Sequence, residues 1–207
     1  MTFEELAVKI EKLKPKHTQL VIGIDGDGGA GKTTFANKLA YLLDAEIIYL
    51  DDLYKSKKDR MNENQDSNIN IDYDWKRIKK EIFTPIRESS KINYHYYDWN
   101  LDKITHIVNV PEGKNIIIEG SYSLQPKFFK DYDFSIYIET PKELRLKRAM
   151  IRDGEYMRSH WEKVWLPAYK RYKDTHKVHE NVDLLIDGLK SDFENNIIHD
   201  LEEEPPS

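Results

Sequence analysis

The run Gly26-Asp27-Gly28-Gly29-Ala30-Gly31-Lys32-Thr33 constrains this chain more than any other feature. It satisfies G-x-x-x-x-G-K-[ST], and it stands where that pattern has physical meaning. An apolar strand is expected at Leu20–Ile24, directly before it. A helix is expected at Thr33–Leu43, directly after it, with Phe35, Ala36, Leu39, Ala40 and Leu43 on one side. Glycines let several backbone amides converge on one anion, and the helix that follows adds its positive end. Gly26, Asp27, Gly28, Gly29, Ala30 and Gly31, with Lys32, Thr33 and Thr34, are therefore expected to cradle phosphates. Lys32 is expected to reach the β and γ groups, and the Thr33 hydroxyl to hold Mg²⁺.

The rest of the chain reads as strands interleaved with helices. Glu46–Leu50, Asn115–Glu119, Phe134–Ile138 and Asp183–Ile186 are compact apolar runs, as in a sheet buried on both faces. Amphipathic helices are expected at Phe3–Leu13, Trp75–Ile86 and Ser159–Tyr172, the last kinked at Pro167, with a closing helix at Leu189–Ile198. Thr140, Pro141 and Glu143 predict a capped helix start, with Thr140 as cap and Glu143 completing a capping box. Ser56–Asn70 reads as loop and Leu201–Ser207 as a frayed acidic tail. Ile92–Tyr97 and Ile104–Val110 predict a hairpin. The expected architecture is a three-layer α/β/α domain with a mainly parallel sheet and a small inserted hairpin. One domain over 1–207 accounts for it, with an insertion at about 91–110 and a lid at about 145–159.

Composition narrows the function classes. Lys and Arg number 32 against 37 Asp and Glu, so no global basic field attracts nucleic acid. The absence of cysteine excludes a disulfide scaffold and any thiol nucleophile. No apolar run approaches a membrane span, and Glu4, Glu5 and Glu11 argue against a secretory signal, so a cytoplasmic setting is expected. A guanine-binding Asn-Lys-x-Asp run is absent, which lowers the GTPase reading; ATP is the expected nucleotide. Homo-oligomers are compatible with the chain.

Later carboxylates favour transfer to a small acceptor. Asp51 and Asp52 follow the second strand, where side chains face the ligand crevice of a parallel sheet, and either can accept a hydroxyl proton. Glu119 ends another strand and is expected to help order Mg²⁺. Arg148 and Arg152 lie four apart on one helix face and can neutralise charge that develops in transfer. Tyr73-Asp74-Trp75 and Tyr94-His95-Tyr96-Tyr97-Asp98-Trp99 offer aromatic faces and carboxylates for an acceptor. Strict alternation puts Tyr94 and Tyr96 on one side of the hairpin, His95 and Tyr97 on the other, with the pocket-facing side open.

From about Leu20 to Gly188 the chain resembles the uridine kinase-like family of P-loop kinases. That group includes nicotinamide riboside kinase, phosphoribulokinase and bacterial pantothenate kinase. Ile24-Asp25-Gly26 through Lys32-Thr33-Thr34-Phe35-Ala36 is the closest match. The resemblance implies a P-loop NTPase fold, with ATP and Mg²⁺ serving transfer to a small-molecule hydroxyl, in a nucleoside such as uridine. Asp51-Asp52-Leu53-Tyr54-Lys55 is similar to the family's catalytic-base segment, which puts Asp51 in the base position and Tyr54 beside the acceptor. Asp74 resembles the ribose-binding acid, and the Asn93–Asp98 stretch, with His95 and Tyr97, resembles the acceptor-side hairpin. Ile118-Glu119-Gly120 is similar to its acidic strand end, and Arg148 to Arg152-Asp153 to its lid. Trp75 and Lys76 stand where nucleoside-specific members often carry proline. A switch or partner-regulated ATPase with no small acceptor is the competing class.

Overall fold

The computed structural model describes residues 1–61 and 72–201. Its strands are β1 Val21–Asp25, β2 Ala45–Tyr49, β3 Asn93–Asp98, β4 Lys103–Asn109, β5 Asn115–Glu119, β6 Phe134–Glu139 and β7 Leu184–Asp187. Five form a parallel sheet in the order β2-β5-β1-β6-β7, and β3 and β4 form a separate antiparallel pair. The expected α/β architecture with its inserted hairpin is what the chain adopts.

The apolar strands lack polar alternation because both faces of the sheet are covered. On one face Ile22, Ile24, Ile117 and Ile136 pack with α1 (Phe3–Glu11) and α2 (Lys32–Leu43) through Phe3, Leu6, Phe35 and Leu39. On the other, Val21, Ile116 and Ile118 pack with Ile78, Ile82, Phe83, Tyr122, Tyr169 and Tyr172. Residues one apart on β5 thus serve different cores, as a period of two requires. α1 is held by a capping box between Thr2 and Glu5.

Because the sheet is parallel, its C-terminal strand ends rise along one edge. β5 lies between β2 and β1, so Glu119 is flanked by Ile24 on one side and Tyr49 on the other. This places the acidic strand end between the glycine loop and Asp51.

Four local expectations are corrected. Thr140 does not cap a helix; the helix Lys142–Asp153 is preceded by Pro141 with no side-chain cap. The Thr140 hydroxyl instead donates to the Ala30 carbonyl at 3.1 Å, because β6 delivers Thr140, buried, against the glycine loop. The closing helix at 189–198 does not form. The Asp187 carboxylate takes the amides of Leu189 and Lys190, Asp192 takes that of Asn195, and Asn196 adopts φ 67°. Local Asx turns outcompete the apolar spacing there. Alternation along β3 is broken by a register shift between Tyr96 and Tyr97, so Tyr94 and Tyr97 are both buried. Within the expected 56–70 loop, Lys57–Met61 is a helical turn; 62–70, like the tail at 202–207, lies outside the described residues.

The two prolines that fall inside long helical stretches are each met by a wider turn. A π-turn at Lys79–Phe83 precedes Pro85, and another at Trp161–Trp165 precedes Pro167. Proline lacks an N–H and clashes with the carbonyl four residues earlier, and the i→i+5 turn relieves both. Among the described residues no helix is long and apolar enough to cross a membrane.

Candidate active site

The glycine loop turns through backbone that side chains disfavour. Gly29 has φ 79° and Gly31 φ 101°. A Cβ on Gly29 would also stand 2.6 Å from the Arg145 carbonyl oxygen. Gly31 opens α2 without a side-chain cap, so the first-turn amides point toward an incoming anion. Lys32 is buried, donating to the Asp27 carbonyl at 3.2 Å and to Ser121 Oγ at 3.3 Å, with Glu119 Oε1 at 4.0 Å. The Thr33 hydroxyl donates to Glu119 Oε2 at 3.2 Å. Burial pushes the Glu119 carboxyl up, against the pull of Lys32. Lys32, Thr33 and Glu119 thus come together as three polar groups at the loop.

Several groups outside the motif hold this loop. Asp25 is fully buried at the end of β1 and accepts from five donors. Oδ1 takes the amides of Gly26 at 2.7 Å and Tyr122 at 3.0 Å and the Tyr169 hydroxyl at 2.9 Å. Oδ2 takes the Leu124 amide at 3.1 Å and the Tyr172 hydroxyl at 2.8 Å. Burial raises its proton affinity, and the amide and hydroxyl donors oppose that. Arg145 pairs with Asp27 and donates to the Thr140 carbonyl at 2.7 Å. Arg148 reaches the Gly29 and Ala30 carbonyls at 3.3 and 3.4 Å. Arg152 is bound to Asp153 at 2.7 and 3.0 Å, which holds its guanidinium above its ordinary proton affinity.

At the end of β2, beyond β5 from the glycine loop, Asp51 and Asp52 sit in a 3₁₀ turn, Leu50–Leu53. Each is held by a tyrosine from elsewhere. Tyr73 donates to Asp51 Oδ1 at 2.9 Å and Tyr94 to Asp52 Oδ2 at 3.1 Å. Burial, with Asp51 beside it, pushes the Asp52 carboxyl up to about 6, although the Tyr94 hydrogen bond opposes this. Tyr54 packs between Tyr73 at 4.3 Å and Trp99 at 4.4 Å, and the Trp99 indole donates to the Asp51 carbonyl at 3.2 Å.

Not every residue expected at an acceptor is free of other partners. Asp74 caps the helix that begins at Trp75 by accepting from the Arg77 amide at 3.0 Å. His95 is turned to Glu81, with Nδ1 at 2.9 Å, and the buried Tyr97 donates to Asp102 at 2.6 Å. The sequence reading assigns Asp25 and Ser121 no role of their own, and it offers Tyr73 and Tyr94 as acceptor-side aromatics, not as partners of Asp51 and Asp52. A charged residue ending an otherwise apolar strand was the signal for Asp25; the three hydroxyls carry no local signal.

A profile described as the Phosphoribulokinase / Uridine kinase family matches residues 21–177, the span that holds all these groups. The chain belongs to this family. The uridine kinase of Ureaplasma urealyticum is 26% identical over 182 residues, covering 80% of this chain and 87% of that one. The uridine kinase of Borrelia duttonii is 31% identical over 144 residues, covering 64% and 66%. A solved structure described as a possible uridine kinase from Bacillus stearothermophilus shares the fold, with TM-score 0.69, 20% identity and coverage of 88% and 96%. The protein is thus an ATP-dependent kinase acting on a small-molecule hydroxyl. Oxygen ligands from Thr33 and Glu119 beside a phosphate cradle suit Mg²⁺, a hard cation that takes its other ligands from phosphates and water.

Proposed function

We propose that this kinase moves the γ-phosphoryl group of ATP, with Mg²⁺, to a hydroxyl of a nucleoside such as uridine. The observation that carries the reading is the juxtaposition along one sheet edge: Lys32, Thr33 and Glu119 on one side, Asp51 on the other. The relatives named uridine kinase support the acceptor class.

In the proposed reaction, loop amides and Lys32 bind the β and γ phosphates. Thr33 and Glu119 are the ligands offered to Mg²⁺, which supplies charge neutralisation on the phosphates. Asp51, oriented by Tyr73, accepts the proton of the acceptor hydroxyl as its oxygen bonds to the γ-phosphorus and the bond to the bridging oxygen breaks. Arg148 and Arg152 balance charge on the transferring group. Tyr54, Asp74, His95 and Tyr97 are the proposed acceptor-side residues, and Asp74 serves while also capping its helix. The setting is cytoplasmic and the acting unit is one domain, alone or as a homo-oligomer.

The test is a transfer screen with ATP and Mg²⁺ over nucleosides, vitamins and sugar phosphates, read as ADP formed and phosphorylated product. Uridine or a related nucleoside is the expected acceptor. Slow hydrolysis unchanged by any metabolite would overturn the reading.

A further inference from the structure

We infer that Trp161 is a positioning residue that walls the transfer side of the phosphate loop against water, so that the phosphoryl group passes to the acceptor hydroxyl. The inference rests on the phosphoryl-transfer reading above and goes beyond it. Trp161 is only 3% exposed, and its ring edge lies against Gly28 of the loop. A Cβ added to Gly28 would meet indole Cη2 at 2.4 Å and Cζ3 at 2.6 Å. The indole therefore fills the space that a side chain at this loop position would take.

The ring is fixed from two directions. Its Nε1 donates to Asp153 Oδ2 at 2.9 Å, and the same carboxylate binds the Arg152 guanidinium. That guanidinium stands 5.9 Å from the indole ring centroid. Behind the ring, Trp165 packs edge-on at 5.0 Å, with Ala149, Met150 and Leu166 around it. This cluster is separate from both sheet-face cores, so Trp161 packs with the helix Lys142–Asp153 and not with the sheet. It also begins the π-turn that precedes Pro167, a wide turn of the kind that recurs at functional positions. Trp161 thus links the loop, Arg152 and the lid at one point. Gly28 belongs to the loop proposed to hold the phosphates, which puts the indole on the side where transfer would occur.

Water competes with the acceptor for the γ-phosphorus. If water attacks, its oxygen bonds to phosphorus, the bond to the bridging oxygen breaks, and ADP, inorganic phosphate and a proton are released. An apolar wall over the loop tip removes the room that this water needs.

The experiment measures ATP hydrolysis with ATP and Mg²⁺ in the absence of any acceptor. Trp161→Ala should raise that rate about fivefold to tenfold, as expected when a closing element is lost. Trp161→Phe should stay near wild type, because the phenyl ring keeps most of the wall. A tryptophan that only filled the lid core would lower the rate together with the melting temperature. That result, or an unchanged rate, overturns the inference. Should Trp161→Ala fail to fold, Trp161→Leu decides, since it leaves the Asp153–Arg152 pair in place: no rise in hydrolysis overturns the proposal. No acceptor enters this measurement, so a failed acceptor screen and a failed wall are distinguishable.

Discussion

The two walls proposed for the phosphates and for the acceptor are built by different means. The phosphate wall is almost contiguous in sequence: Asp25 through Thr33 supply the strand end, the turn and the first helical residues. Its partners, Arg145, Thr140, Tyr169 and Tyr172, brace a shape that the loop's own glycines permit. The acceptor wall has no such local grammar. Asp51 and Asp52 come from one turn, Tyr73 precedes a helix, and Tyr94 and Trp99 come from the hairpin. A motif can specify the first wall, whereas the second exists only when separate elements dock. The two should therefore fail differently when altered.

The largest expected effect is at the phosphate wall. Lys32→Ala removes the cation that Asp27, Ser121 and Glu119 surround. Turnover should drop by on the order of 10³-fold or more with the melting temperature nearly kept, since preorganised charge serves transfer more than folding. Retained turnover would break the comparison at its root.

Next is the acceptor wall. Asp51→Asn, as loss of the proposed base, should cost roughly 10²–10⁴-fold in kcat with ATP affinity intact. Asp52→Asn should cost much less. If Asp52→Asn proves the crippled variant, the proton acceptor is the carboxyl held by Tyr94 and not the one held by Tyr73.

A third variant asks how much of the phosphate wall is fold. Asp25→Ala strands five buried donors from three parts of the chain. At about 1–3 kcal/mol for an unsatisfied buried group, a loss of at least about 3 kcal/mol is expected in urea unfolding. Asp25→Asn, which keeps one acceptor oxygen, should lose less. Equal and small losses would mean that the tyrosines find water instead.

The smallest effect is a pH slope at the acceptor wall. The Asp52 carboxyl is raised from 3.8 to about 6 in the folded protein. The folded state therefore binds its proton more tightly than the unfolded state, and stability from this group is lost as pH rises from about 4 through 6. The stability of Asp52→Asn relative to wild type should grow across that window. A difference independent of pH would mean that Asp52 titrates alike in both states.

Legibility followed the same division. The parallel sheet, the glycine loop and its helix were read from apolar runs and one motif, because backbone geometry and burial act there over short stretches. β5 was bounded at Asn115–Glu119 from its isoleucines alone. Thr140 misled because a good cap residue was recruited by a neighbour 110 positions away. Leu189–Ile198 misled because Asp187 and Asp192 offered the backbone a nearer partner than the next helical turn. The face assignment of His95 and Tyr97 failed at a bulge, which shifts every later side chain and leaves no mark in composition.

By itself, the sequence determined that a strand must deliver a phosphate cradle to a helix, since glycine conformations, the Lys32 charge and apolar periodicity are local properties. Only the tertiary structure decided which acids meet that cradle and who holds them. Sheet order placed Glu119 between β1 and β2, and packing brought Tyr73 to Asp51, Tyr94 to Asp52 and Trp161 to Gly28. Those partners are distant in sequence, and hydrogen bonds and close contacts between distant residues exist only after the chain has closed on itself.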